Sequence, residues 1–409
     1  MRDRSFVALC ALILVNNLGF GLIAPVLPAF ARSFGLGAAD VGLVIGIYGF
    51  ARFLANVPAG QLAERRGRRT VLIVGTAITS VSALLIITSQ NLPQMLAYRL
   101  LAGVGAATVV TGGQIMVSDI ASPENRGRMM STYQGFFLLG SGLGPVPGGF
   151  LADAFGLRMP FVAYAVANAM ACTVALLMIR ETRPAPAEVM VTRDVTAVST
   201  TVGVMPTLMT PAFMLIGFLS FAQTVARTGA IFTIIPLLGA ERVGLSASQI
   251  GLAMTTINML NIGTVLQSGK LSDRFGRKPV IAPATIVAGL SLALFAWSPT
   301  YLVFLASAAL WGFGSGLGGP APAAYVTDLS PVAVRGRVFG FFRSVADAGY
   351  VVGPLLLGFL ADRAGYGVPL LVTAVMIVGS GALFWLFAPE LYRPRRAGAL
   401  EPTRAEQAR

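Results

Sequence analysis

Asp347 stands in the stretch "FRSVADAGYVVGP" (342–354), four positions after Arg343 and within an otherwise apolar run. An ionised carboxylate is expensive in hydrocarbon. Where one is kept, it handles protons, holds a charged ligand or pairs with a neighbouring charge. Four basic residues share that setting, for Arg52, Arg99, Arg227 and Arg343 all fall inside long apolar runs. Each costs about 2.5–3.5 kcal/mol on insertion scales when central. The chain has no histidine and two cysteines, Cys10 and Cys172, both in apolar runs. Proton chemistry must therefore use carboxylates. Histidine metal sites are excluded, and neither a disulfide framework nor a resident metal or cofactor is expected. Sixteen of the 17 acids fall in termini, in loops or near helix ends, which leaves Asp347 as the one deeply placed acid.

The elements that carry these charges are membrane spans. The chain of 409 residues is 55% hydrophobic and 11% charged, whereas a soluble domain carries about 25% charged residues. Apolar runs recur at about the 20 residues a helix needs to cross a bilayer. Twelve are predicted, at 6–30, 41–59, 70–88, 93–117, 128–151, 159–180, 211–236, 247–267, 279–297, 301–324, 337–360 and 367–389. The first is too long for the apolar part of a signal peptide and is kept as a span. Asp347 then lies about ten residues into the eleventh span, about 15 Å deep. Arg52 sits at similar depth in the second, and Arg343 is shallower and able to snorkel.

An even number of spans puts both termini on one side. That side collects 22 basic residues and the other 4, which makes the terminal side cytoplasmic. The net charge of +13 is spread in small groups between spans, so nucleic acid is not the expected partner. The polar interval 181–206 reads as a flexible cytoplasmic linker. It separates a six-helix bundle at 1–180 from another at 207–390, with a cytoplasmic tail at 391–409.

The two halves are related by an offset of 209 residues. It lays "GQLAERRGRRTVL" from Gly60 on "GKLSDRFGRKPVI" from Gly269, and "SDIASPENRGR", ending at Arg128, on "TDLSPVAVRGR", ending at Arg337. Gly144-Pro145 falls on Gly353-Pro354, and "GFLADAFG" (149–156) on "GFLADRAG" (358–365). Repeated six-helix halves suit a transporter that rocks about a midplane site. The intramembrane charges do not repeat: Asp347 corresponds to Leu138, Arg52 to Asn261, Arg99 to Ala308 and Arg227 to Leu18. Buried charges that escape the repeat suit substrate or proton handling better than architecture.

These segments resemble the major facilitator superfamily over essentially the whole chain. The loops from Gly60 and Gly269 resemble its signature between the second and third helices. "YRLLAGVGAA" (98–107) resembles its fourth-helix signature with an intramembrane arginine, here Arg99. "GSGLGPVPGGFLAD" (140–153) resembles the fifth-helix signature of proton-driven exporters, and "NNLGFGLIAPVLP" (16–28) the first helix of tetracycline-type and related drug exporters. The resemblance implies an all-α polytopic fold of twelve helices in two pseudo-symmetric bundles. It implies a cytoplasmic gating latch of Gly60, Glu64, Arg68 and Asp119, matched by Gly269, Asp273, Arg277 and Asp328. Glu64 stands where the family has Asp, and the same charges also read as a solvated positive-inside set. Gly140, Gly144 and Gly148, with Gly149 beside them, form a small-residue face for close helix contact, and Pro145 favours a bend.

In the superfamily the second and eleventh helices face each other, which suggests an Arg52–Asp347 contact with Arg343 as the competing partner. Asp347 is then a coupling or substrate-binding acid, or half of a structural ion pair. Arg99 modulates a proton site or bonds helix carbonyls. Asn16 replaces the first-helix acid of tetracycline-type exporters, which shifts the coupling role towards Asp347. Asn17, Gln114, Gln223, Asn258 and Asn261 supply either cavity contacts or interhelical packing. Glycine-rich "GFGSGLGGP" (312–320) follows no strand and no Walker loop is present, so ATP chemistry is not expected. The expected function is export of small amphipathic, multidrug-type compounds, driven by the proton gradient through alternating access. The partners are the substrate, protons and the lipid of a bacterial cytoplasmic (inner) membrane, with the chain as a monomer and not an enzyme. The alternative is a lipid or lysolipid translocator, or a sugar or amino-acid exporter, of the same fold.

Overall fold

In lipid every backbone N–H and C=O must be satisfied within the protein, which leaves the helix as the solution for an open chain of apolar segments. The computed structural model describes residues 2–122, 125–182, 204–331 and 334–391, and among these no strand occurs. Six long helices make the first half: α1 (Arg2–Ile23), α2 (Ala38–Arg66), α3 (Arg68–Ile87), α4 (Leu92–Ile120), α5 (Arg126–Phe155) and α6 (Met159–Met178). Six make the second: α7 (Pro211–Val243), α8 (Ala247–Phe275), α9 (Lys278–Trp297), α10 (Tyr301–Leu329), α11 (Arg335–Ala364) and α12 (Gly367–Phe387). Among the described residues, 11 helices are long and apolar enough to cross a membrane, and α8 is a further helix of 29 residues. Of the expected linker, 183–203 lies outside the described residues, as does 392–409 of the expected tail.

Proline and glycine account for most departures from the expected spans. The span expected at 6–30 divides, because α1 ends at Ile23 and a short helix, Leu27–Arg32, follows. Pro25 and Pro28 supply no N–H across that junction. Within α10 the α-helical pattern stops at Gly318 and resumes at Ala321, with Pro320 between. In α7 the chain runs as α-helix to Val225, then widens to π-helix over Ala226–Ile234 and again over Gly239–Val243. Gly67 and Gly276, at φ 96° and 102°, end α2 and α8 at repeat-equivalent places. Side chains there would be strained, so glycine is what permits the abrupt step into α3 and α9.

The halves meet where α2 crosses α11 and α5 crosses α8. The contacts come in symmetric pairs. A methyl on Gly42 of α2 would land on the Pro354 carbonyl, and one on Gly251 of α8 on the Pro145 carbonyl. Gly149 abuts the Ala247 carbonyl and Gly358 that of Ala38. All of this lies away from the termini. One buried core, including Val41, Ile45, Val225 and Leu357, spans both halves on that side. Towards the terminal side two separate cores replace it, one around Leu72 and Tyr133 in the first half and one around Tyr325 and Phe384 in the second. Gly135, Gly263 and Gly340 there face open space. The molecule is a V, closed away from its termini and open towards them.

This geometry predicts opposite effects from one kind of substitution. Gly42→Ala overpacks the closed seam and should lower thermal stability in detergent, by about 1–3 kcal/mol. Gly340→Ala fills open space and gains helix propensity, so it should be neutral or stabilising by up to about 1 kcal/mol. Melting curves of the two purified variants would show equal shifts if the seam were not closely packed.

Candidate functional site

Between the halves lies a cavity of about 430 Å³. Its wall holds Asn16, Asn17, Tyr48, Arg52, Gln114, Gln134, Tyr164, Arg227, Asn258, Arg343, Asp347 and Tyr350, together with apolar Phe20, Phe137, Phe232 and Met254. A smaller chamber of about 50 Å³ lies beside it, against Arg52, Phe53, Asn56, Arg343, Asp347 and Tyr350.

Asp347 and Arg343 lie one turn apart on α11, with the carboxylate 4.0 Å from the Arg343 Nε and both side chains open to the cavity. Arg52 reaches the same chamber from α2 but forms no ion pair within 4.0 Å of Asp347, so the expected contact is not made in this state. Its guanidinium sits instead between two aromatic rings, 5.9 Å from the centre of Tyr48 and 6.0 Å from that of Tyr350. Its Nε is buried without a hydrogen-bond partner. Equal depth on two facing helices placed both charges in one chamber, but the Arg52 side chain turns onto the rings.

Arg99 is 2% exposed and lies one layer behind the wall. Its guanidinium covers the Tyr48 ring at 4.5 Å, a cation–π contact, and its Nε donates to the Val44 carbonyl at 3.3 Å. Its Nη1 has no partner. Arg227 projects into the cavity from the π-helical part of α7, 6.0 Å from the Phe232 ring. π-Helical turns insert a residue into a helix and often mark functional positions.

The neutral candidates divide by their neighbours. Asn16 donates to Asn168 Oδ1 at 2.5 Å, and Asn168 in turn donates to the Tyr164 carbonyl. Asn17 and Asn258 line the wall while bonding their own helices at the Ile13 and Met254 carbonyls. Gln114 lines the wall. Gln223 donates to Thr285 at 3.1 Å and Asn261 to Ser315 at 3.0 Å, outside the cavity wall. Those two are packing bonds within the second half. Gly140, Gly144 and Gly148 bring α5 onto the backbone of α1 at Leu14, Leu18 and Leu22, a matching spacing of four. Gly149 and Pro145 belong to the seam between halves, and Pro145 also reaches the cavity wall.

The charges of the terminal-side loops pair within each half. Arg68 Nε meets Asp119 at 2.7 Å. Arg277 meets Asp328 at 3.1 Å and Asp273 at 2.6 Å. Burial works against the Arg277 charge, but those two carboxylates outweigh it and raise its pKa. Glu64 is exposed and makes no ion pair with Arg68, whereas Asp273 in the second copy pairs with Arg277. Gly60 and Gly269 have no close neighbour within 3.5 Å of an added methyl. Glu181 caps α3 by accepting from the backbone of Arg68 and Arg69, and Glu390 does the same for Arg277 and Lys278. The offset of 209 relates those two glutamates as well.

Charged links between the halves lie on the opposite side, among residues the sequence had placed merely near loops. Asp153 of α5 accepts from Ala247 and Ser248 at the start of α8, and Asp362 of α11 from Ala38 and Ala39 at the start of α2. Each acid thus caps a helix of the other half. Arg32 binds Glu241 through two nitrogens, at 2.7 and 3.0 Å, and Tyr366 donates to the same carboxylate at 2.6 Å. The bond from Arg32 to Glu241 raises the Arg32 pKa against the effect of burial. Burial and the bond to Glu241 push the Tyr366 phenol up.

The family model for the Major Facilitator Superfamily matches residues 9–246 and 213–407. The chain is 26% identical over 363 residues to the class H tetracycline resistance protein of Pasteurella multocida, covering 88% of this chain and 89% of that one. It is 25% identical over 377 residues to multidrug resistance protein 2 of Bacillus subtilis, covering 92% and 93%. The solved D-xylose-proton symporter superposes with a TM-score of 0.74 at 16% identity, over 94% of this chain and 98% of the other.

The paired caps make a conformational prediction. Replacing Asp153 and Asp362 together by Ala removes two carboxylates from helix N-termini, worth about 1–2 kcal/mol each. With Cys10 and Cys172 replaced by Ser, spin labels at Val57→Cys and Phe341→Cys straddle the open side. The double variant should add a shorter label distance as that side closes. An unchanged distance distribution would show that the caps do not hold this state.

Proposed function

The chain belongs to the Major Facilitator Superfamily, and from that premise we propose that it exports small amphipathic compounds in exchange for protons, by alternating access. It is a transport protein and not an enzyme. We assign the terminal side as the cytoplasm of a bacterium, on the distribution of basic residues between spans. The V is then the inward-open state, from which an exporter loads.

The observation that carries the reading is the position of Asp347. Among the described residues it is the one carboxylate in the wall of a cavity that mixes guanidinium, amide and aromatic surface. A carboxylate in such a place can exchange a proton with cavity water. Rocking of the halves about the α2–α11 and α5–α8 seams would then present it to the other side. The asymmetry of the repeat supports this assignment, since Leu138 holds the equivalent place in α5. The relatives named for tetracycline and multidrug resistance support amphipathic cargo.

Coupling is tested in proteoliposomes with an imposed pH gradient and a panel of tetracycline and dyes of either charge. Wild-type protein should show gradient-driven flux, and Asp347→Asn should reduce it to background while Asp347→Glu retains part of it. Absence of gradient-dependent flux over the whole panel would overturn the exporter reading.

A further inference from the structure

The charges facing the cavity do not balance. Among the described residues its wall carries three guanidiniums, from Arg52, Arg227 and Arg343, against one carboxylate. Arginine stays charged at any accessible pH, so the imbalance is permanent. A fourth guanidinium, Arg99, adds its field from behind the Tyr48 ring. Buried donors also remain open, since Arg52 Nε and Arg99 Nη1 have no acceptor. Such buried donors are normally satisfied, and an open one is costly to keep. A cleft of one sign between low-dielectric walls concentrates ions of the opposite sign. For a cationic guest the one carboxylate among the described wall residues is Asp347, already 4.0 Å from Arg343.

The two sides of the cavity contribute unequally. Arg52 belongs to the first half, while Arg227 and Arg343 belong to the second. Tyr48 and Tyr350 flank Arg52 with their rings, and Phe20, stacked on Tyr48, carries that apolar surface along the cavity wall. From this arrangement we infer that the cavity takes a small amphipathic organic anion. Its carboxylate, sulfonate or phosphate group is held between Arg52 and Arg227, and its apolar body lies on Phe20 and Tyr350. The anion offsets repulsion between guanidiniums on opposite halves, so its binding favours their approach. Asp347 competes with it for the same positive field. This inference rests on the transport reading above and specifies the chemical class of its cargo.

The test uses two probes with one ring system and opposite charge, naphthalene-2-sulfonate and 2-naphthyltrimethylammonium. Binding to the full-length protein in uncharged maltoside micelles is measured by calorimetry, without any gradient. The sulfonate should bind about ten-fold or more tighter than the ammonium, as one charge-assisted hydrogen bond implies. Arg52→Gln and Arg227→Gln should each weaken the sulfonate about ten-fold, and Asp347→Asn should tighten it. Gel filtration identifies the variants that remain folded. Equal or tighter binding of the ammonium, no binding of the sulfonate, or unchanged sulfonate affinity in folded arginine variants would overturn the inference. Sulfonate-selective binding without gradient-driven flux would overturn the exporter reading and leave the ligand class standing.

Discussion

A guanidinium cannot be left against hydrocarbon, and this chain carries four of them at membrane depth. Most of the site's architecture answers that constraint. Arg99 is enclosed by the Tyr48 ring and the Val44 carbonyl. Arg52, Arg227 and Arg343 line the cavity between the halves instead. Such a cavity has to lie between bundles, because a single six-helix bundle closely packed through faces such as Gly140, Gly144 and Gly148 has no room for it. The charges therefore require two bundles that meet along only part of their length.

That partial meeting depends on close backbone approach at a few points. Where Gly42 and Gly251 lie against carbonyls of the other half, helices touch without intervening side chains. Where Gly135, Gly263 and Gly340 lie, the same helices stand apart. The carboxylates of Asp153 and Asp362 reinforce the closed side by meeting free N–H groups at the starts of α8 and α2. Those bonds are exposed or only part-buried, so closure is held by modest contributions and can be exchanged for closure elsewhere.

The fold was legible because its signals are one-dimensional. Apolar run length marks a span, and a constant offset marks a repeat. Asp347, Arg52 and Arg227 were equally visible, since a charge in an apolar run stands out without knowledge of its neighbours. Tyr48, Tyr164 and Tyr350 were not, because aromatic residues are common in lipid-facing positions and only the folded chain distinguishes wall from exterior. A sequence signal was nonetheless present: Tyr48 lies one turn before Arg52 and Tyr350 nearly one turn after Asp347. For Gln223 and Asn261 cavity contact and interhelical packing both stood open in the sequence, since polarity alone does not tell whether an amide already has a partner on an adjacent helix. Asp153, Asp362, Glu181 and Glu390 were assigned to ends and loops because helix caps supplied from distant segments leave no local pattern.

The Arg32–Glu241 bridge joins two positions that the offset of 209 makes equivalent. A residue near a two-fold axis faces its own counterpart. Two first halves would bring Arg32 against Arg32, and two second halves Glu241 against Glu241. Like charges in contact repel, so only an unlike pair of halves forms this clasp. At this one contact the repeat is complementary in charge rather than alike, which favours an unlike pair of halves by the modest amount an exposed ion pair contributes.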